Sequence, residues 1–198
     1  MATFVVLSII AYLLGSLSSA IVVCKMFHLP DPRSTGSKNP GATNVLRIAG
    51  KSKAAIVLAG DLLKGFIPVI VAHFLFLTPY QIGFVGLLAV LGHVFPVFYQ
   101  WKGGKGVATA LGVYLGLTPL LGPLCFISWL ITFKLFRYSS LASLVTVFLA
   151  PFYVAFLLPG AVAWMPVAII GILIIIQHRS NIERLYNGTE NKFKSKLS

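Results

Sequence analysis

VATALGVYLGLTPLLGPLCFISWLITFKLF, residues 107–136, is the stretch on which the topology turns. It carries one charge, Lys134. As a single helix its 30 residues would reach about 45 Å, well beyond the ~30 Å hydrocarbon core of a bilayer. It is short for two full spans. Pro119 and Pro123, with Gly116 and Gly122, stand near its middle. Charge decides between the readings. A single crossing would put Lys134 and Arg137 opposite Lys102 and Lys105, whereas a turn at Thr118 and Pro119 returns all four to one side. Basic residues collect on one face of a membrane protein, so we read two short helices, 107–118 and 120–136.

The rest of the chain is equally apolar. Of its 198 residues 58% are hydrophobic and 10% charged, against roughly 25% charged in an ordinary globular chain. Further runs of spanning length cover 3–24, 54–77 and 80–99, and a run over 140–177 breaks at Pro159-Gly160 into 140–158 and 161–177. The expected fold is an all-α integral membrane protein, one membrane-embedded domain over 1–198, with seven transmembrane helices, several of them short or broken. Seven crossings put the termini on opposite sides. Every charged residue except Asp61 and Lys64 then falls at one surface. The excess of basic residues makes that surface cytoplasmic, with the N-terminus outside and the C-terminus inside.

Sixteen basic residues face four acidic ones, for a net charge of +12. In this apolar background the surplus reflects cytoplasmic loops and anionic lipid headgroups, not nucleic acid. Cys24 and Cys125 lie in apolar surroundings and give neither a disulfide framework nor metal-ligand spacing. No internal repeat is visible, which counts against repeat-built transporters.

The charged surface gathers segments 31–53, 102–109, 137–143 and 178–190. Two stretches stand out there, residues 36–47 (GSKNPGATNVLR) and 102–109 (KGGKGVAT). Glycines let backbone N–H groups converge on an anion, and Lys or Arg neutralises it. The inventory is rich in donors and poor in carboxylates, so it suits dianions and not carboxylate-bound metal or two-carboxylate hydrolysis. Lys105 lacks the spacing of a nucleotide-binding P-loop, and no GxSxG elbow or zincin spacing occurs. His178 and Asn181 stand three residues apart on one helix face. A histidine at a membrane boundary near cations can titrate close to neutrality, or it can serve packing. Asp61 and Lys64 share a helix face near mid-membrane and must meet protein or water. They read either as a structural pair or as substrate contacts. His73 and His93 read as satisfied buried histidines.

Taken in order, these residues resemble a known family. Leu29-Pro30-Asp31-Pro32-Arg33, Gly36-Ser37, Asn39-Pro40-Gly41-Ala42-Thr43-Asn44-Val45-Leu46-Arg47, Asp61-Leu62-Leu63-Lys64-Gly65, Gly92-His93-Val94-Phe95-Pro96, Lys102 through Thr109, Ser139-Ser140-Leu141 and His178-Arg179 with Asn181-Ile182 and Arg184-Leu185 are similar to the bacterial acyl-phosphate:glycerol-3-phosphate acyltransferases of the PlsY family. The likeness runs over essentially the whole chain.

That resemblance implies transfer of a fatty acyl group from acyl phosphate to the sn-1 hydroxyl of glycerol 3-phosphate, giving lysophosphatidic acid and phosphate. It implies no cofactor and no metal. The implied partners are acyl phosphate, glycerol 3-phosphate, membrane phospholipid and, transiently, the enzyme that makes acyl phosphate. The implied place is the bacterial inner membrane, with the site facing the cytoplasm. Lys105, His178, Asn181 and Ser37 are the candidates for catalysis. Asn39, Gly41, Ala42, Thr43, Asn44, Arg47, Gly103, Gly104, Gly106, Thr109, Ser143, Arg137, Arg179 and Arg184 are candidates for binding substrate. Asp61, Lys64, His93 and Glu190 are expected to support them. The proton acceptor is either His178 or a substrate phosphate, whose second pKa is about 6.

Overall fold

Long apolar runs fold as helices here, even where they hold Pro68 or Pro151, and their ends follow local chemistry. The computed structural model describes residues 1–158 and 163–193, and the elements found there are α-helices and one 3-10 turn. In chain order the helices are α1 (Ala2–Gly15), α2 (Ser19–Met26), α3 (Ala42–Phe74), α4 (Pro79–Val94), α5 (Val107–Leu117), α6 (Leu121–Phe136), α7 (Ser139–Leu157), α8 (Trp164–Gln177) and α9 (Arg179–Tyr186), with the 3-10 turn at Val97–Tyr99.

Among the described residues three helical segments, α3, α4 together with the 3-10 turn that follows it (Pro79–Tyr99) and α7, are long and apolar enough to cross a membrane, and up to five spans result if the bent pairs α1/α2 and α8/α9 each count once. α5 and α6 are shorter. The first run is thus not one rod. It breaks at Ser16–Ser18 with a bend of 42°, where Ser18 caps α2 by accepting from the Ile21 N–H. α3 begins at Ala42, inside the segment expected to be loop, and kinks at Gly50, whose φ of 79° leaves the helical region. The third run ends its α-helix at Val94, ahead of Pro96, instead of running to 99. The expected turn in 107–136 falls at Thr118–Leu120, between α5 and α6. The expected break at Pro159-Gly160 lies outside the described residues.

α4 is the central helix, packed against α1, α3, α5 and α8. Its start is fixed by a capping box: Thr78 Oγ1 accepts from the Gln81 N–H and Gln81 Oε1 accepts from the Thr78 N–H. The closest helix pair for function is α3 with α5. A Cβ on Gly65 would stand 2.1 Å from Thr109 O, and one on Gly112 would stand 2.0 Å from Leu62 O. Only glycine lets these backbones touch, as small residues do where lipid supplies no hydrophobic drive between helices. The main apolar core includes Val69, Val113, Tyr114, Val147 and Ile170. The outer surface is apolar too, with Phe74, Leu135, Phe152, Phe156 and Ile172 exposed. An apolar exterior on this scale is a lipid-facing one.

Candidate active site

The N-termini of α3, α5 and α7 and the C-termini of α6 and α8 lie at one end of the bundle, and a cavity of about 750 Å³ opens among them. Helix N-termini carry unpaired N–H groups and positive partial charge, so three of them around one space favour an anion. None of the three has an acidic residue in its first turn. The polar wall holds Ser37, Lys38, Asn39, Gly41, Ala42, Thr43, Arg47, Lys105, Gly106, Ser143, His178, Asn181, Arg184 and Glu190. The apolar wall holds Leu58, Leu62, Leu111, Leu115, Pro123, Phe126 and Trp129. Leu115 lies about 15 Å along α5 from Lys105 at helical rise. The space therefore runs from a cationic mouth into an apolar interior, with α5 between α3 and α6.

Lys105 is set by the loop that precedes α5. The Gly104 N–H donates to His93 O at 3.1 Å. A Cβ on Gly104 would stand 2.2 Å from His93 Nε2, so this backbone rests directly on the imidazole. Gly106 then turns the chain into α5 with φ of 87°, a left-handed conformation that suits glycine. Below the loop, His93 Nδ1 lies 3.7 Å from Asp61 Oδ1, and Asp61 Oδ1 lies 3.0 Å from Lys64 Nζ. Lys64 also donates to Leu17 O at 2.8 Å, a carbonyl freed by the break between α1 and α2. Asp61 and Lys64 are 2% and 8% exposed. The pair joins α3 to α1/α2 and to the loop bearing Lys105. Asp61 and His93 also reach the cavity wall. His73 is separate, with Nε2 at 3.1 Å from Gly116 O.

Glu190 is the hub of the opposite side. It accepts from Ser140 Oγ at 2.8 Å, Asn181 Nδ2 at 2.7 Å and Arg184 Nε at 2.7 Å. Asn181 Oδ1 in turn accepts from Lys105 Nζ. One carboxylate thus orients an amide, and the amide orients the lysine. Burial alone would raise the Glu190 carboxyl, but the hydrogen bonds from Asn181, Ser140 and Arg184 and the charge of Arg184 hold it below its ordinary range. Burial and the nearby Arg184 charge push the Lys105 ammonium down to about 8.

His178 ends α8, and its Nδ1 lies 2.8 Å from Ile174 O. That carbonyl can only accept, so Nδ1 carries the proton and Nε2 is left as an acceptor. Burial and the Lys105 charge lower its pKa to about 4. Both effects favour the neutral imidazole, so of the two readings open for His178 in the sequence, titration near neutrality is the less favoured in this site.

Not every expected residue reaches the wall. Asn44 is buried and points away from the ligand space. Its amide donates to Pro32 O and Thr35 O at 2.9 and 3.0 Å, and its Oδ1 accepts from the Ser37 N–H at 2.8 Å. Asn44 therefore folds the loop that carries Ser37 and Asn39. Thr109 is fully buried between α3 and α5, away from the cavity wall. Gly103 and Gly104 pack on His93 and Val94 and leave the lining to Lys105 and Gly106. Arg137 and Arg179 are exposed and off the wall. Arg137 caps the C-terminus of α6 with φ of 63°, its N–H bonded to Phe133 O. The wall adds Ser139 and Ser140, from the Ser139-Ser140-Leu141 motif, and Lys38, Ser180 and Asn191, which were not candidates. Asn191 belongs to a segment with no helical or glycine pattern, so no local signal marked it.

The family model for glycerol-3-phosphate acyltransferase matches residues 5–188. Proteins of that name from Colwellia psychrerythraea and Coxiella burnetii are 54% and 51% identical to this chain. Those alignments cover 96% of this chain in both cases and 95% and 98% of the relatives. A crystal structure of PlsY (YgiH), an integral membrane glycerol 3-phosphate acyltransferase, in its glycerol 3-phosphate form superposes with a TM-score of 0.92 at 43% identity, covering 97% of this chain and 96% of that one. Its lysophosphatidic acid form gives 0.89 at 41% identity. With a family model spanning nearly its whole length and curated relatives above half identity, the chain belongs to the glycerol-3-phosphate acyltransferase family, a membrane-embedded transferase.

Proposed function

We propose that this chain moves a fatty acyl group from acyl phosphate to the sn-1 hydroxyl of glycerol 3-phosphate, releasing lysophosphatidic acid and inorganic phosphate. The observation that carries this reading is the shape and chemistry of one cavity. It is cationic and donor-rich at the mouth and apolar in its depth. Two phosphates and one acyl chain need such a space. A phosphate monoester approaches −2 near neutral pH, and Arg47, Lys105 and Arg184 face it from three elements.

Acyl phosphate is already activated, so the glycerol hydroxyl attacks its carbonyl carbon directly. A C–O bond to glycerol forms, and the bond from the acyl carbon to the phosphate oxygen breaks. The developing oxyanion is steadied by backbone N–H groups at the start of α5 and by Lys105. Ser37, Asn39, Thr43, Ser143 and Asn181 orient the phosphates and the hydroxyl. The proton goes to a substrate phosphate. With a pKa of about 4, His178 is a weaker base than a phosphate whose second pKa is about 6. Its free Nε2 instead accepts a hydrogen bond from the glycerol hydroxyl and aims it. Asp61, Lys64 and His93 hold the Lys105 loop from below, and Glu190 holds Asn181.

The reading extends to topology. The seven apolar runs are seven crossings of a bacterial inner membrane, α5 and α6 included. The N-terminus is outside, and the site faces the cytoplasm, where the basic residues gather. The enzyme that makes acyl phosphate is a transient partner at that face.

Purified protein mixed with palmitoyl phosphate and glycerol 3-phosphate is expected to release phosphate and lysophosphatidic acid in equal amounts, and none with palmitoyl-CoA as donor. Phosphate without lysolipid would make the protein a hydrolase, and equal use of palmitoyl-CoA would remove the donor assignment.

A further inference from the structure

Phe193 lies outside every motif, yet it joins two parts of the site. Its backbone N–H donates to Arg137 O at 3.0 Å. Its ring meets Phe133 edge-on, with centroids 5.3 Å apart. The Arg47 guanidinium carbon lies over the same ring, 5.4 Å from its centroid. Phe133 in turn stacks on Trp129 at 4.9 Å and 13°. Trp129 lines the cavity and donates from Nε1 to Ser143 Oγ at 3.3 Å. A continuous ladder therefore runs from the cavity wall through Trp129, Phe133 and Phe193 to the cation at the mouth.

Resting on the phosphate-binding reading above, we propose that Phe193 is a positioning residue. Through its ring face it holds the Arg47 guanidinium at the cavity mouth and so sets the affinity for a substrate phosphate. Arg47 is exposed and makes no salt bridge among the described residues. An arginine without a carboxylate partner roams over many rotamers, and holding it beforehand spares that loss when the phosphate arrives. A ring face does this without neutralising the charge. A carboxylate in the same place would compete with the substrate. The segment that carries Phe193 is itself fixed, at one end by the three hydrogen bonds to Glu190 and beside it by Lys192, whose Nζ lies 5.6 Å from the Tyr138 ring.

The test is the steady-state kinetics of Phe193→Leu and Phe193→Trp in full-length protein, varying glycerol 3-phosphate and acyl phosphate separately. Leucine keeps apolar contact with Phe133 and loses the ring face, and tryptophan keeps both. The expected result for Phe193→Leu is a rise of about two- to fivefold in KM for one phosphate-bearing substrate, the range of an exposed cation–π contact, with kcat unchanged. Phe193→Trp restores the wild-type KM. In an Arg47→Ala background Phe193→Leu adds nothing. Wild-type KM values in Phe193→Leu, or the same added loss without Arg47, would overturn the proposal while leaving the site reading intact. A drop in kcat and melting temperature at unchanged KM would make Phe193 merely structural. If Arg47→Ala itself leaves both KM values unchanged, the phosphate-binding reading of Arg47 fails, and this proposal fails with it.

Discussion

Two loops bring polar groups to the same cavity, and they are built differently. The loop at residues 102–106 rests on the core. Gly104 is buried against His93, and His93 stands beside Asp61 and Lys64 in the apolar interior. The loop at residues 31–41 rests on one side chain. Asn44 makes three hydrogen bonds to it, Arg33 pairs locally with Asp31 at 2.7 Å, and Ser37 and Lys38 are exposed. The first arrangement fixes a cation before substrate arrives, which is what electrostatic stabilisation of a transition state requires. The second suits a group that must admit and release a soluble substrate. The difference teaches which contacts belong to turnover and which to binding.

The comparison breaks first at Lys105. Replacing Lys105 with Ala removes the preorganised charge, and kcat/KM is expected to fall by about 10²–10³, the cost of losing one preorganised donor. Melting temperature should hold, since Asn181 keeps its bond to Glu190. Activity within a few-fold of wild type would mean that the rigid loop does not serve the chemistry.

Gly104→Ala tests the support instead of the charge. Its Cβ would stand 2.2 Å from His93 Nε2 and 3.0 Å from Pro40 O, so the loop must shift. A misplacement near 1 Å costs about 10²-fold in rate, and overpacking costs about 1–3 kcal/mol of stability. Thermal unfolding and kcat measured together check both. Unchanged kcat would show that the loop tolerates displacement.

Asn44→Ala probes the other loop. The buried Pro32 carbonyl, the part-buried Thr35 carbonyl and the Ser37 N–H lose their partner, at about 1–3 kcal/mol. Because that loop is placed on the binding side, KM for glycerol 3-phosphate should rise about tenfold while kcat changes little. A kcat defect as large as that of Lys105→Ala would erase the distinction between the loops.

Titration gives a smaller and sharper test. A dianion binds the protonated Lys105, and the protonated fraction falls as pH rises through about 8. Because Lys105 acts in that protonated form, kcat/KM should fall above pH 8, about tenfold per unit in the limit, and Lys105→Arg should flatten that limb because guanidinium stays charged. On the acid side His178 stays neutral down to about 4, so a limb near 6 should follow the substrate phosphate. That limb persisting with His178→Gln, at lower rate, would agree with substrate assistance. Its disappearance would return the base to His178.

Much of this was legible in the sequence because hydropathy and charge act locally. Apolar runs separated by Pro, Gly and Lys mark helices wherever the solvent is lipid. The turn within residues 107–136 could be read from where Lys134 and Arg137 must lie. The two glycine-lysine stretches pointed to an anion because their chemistry is carried by neighbouring residues. Asn44 and Thr109 misled for a related reason. They sit within those stretches, but the helical turn that brings Thr43 and Ala108 to the wall carries Asn44 and Thr109 away from it.

The sequence by itself determined the solvent this chain folds in, the approximate helices and the cationic end of the bundle, because each follows from composition along a short window. Tertiary structure alone decided which cation is held and by what. Lys105 meets Asn181 across 76 positions of sequence, Lys64 reaches a carbonyl at the break between α1 and α2, and Arg47 lies over Phe193. Such contacts depend on how helices cross, and crossing is set by glycine-lined close approach and side-chain packing between distant segments, which no local window contains.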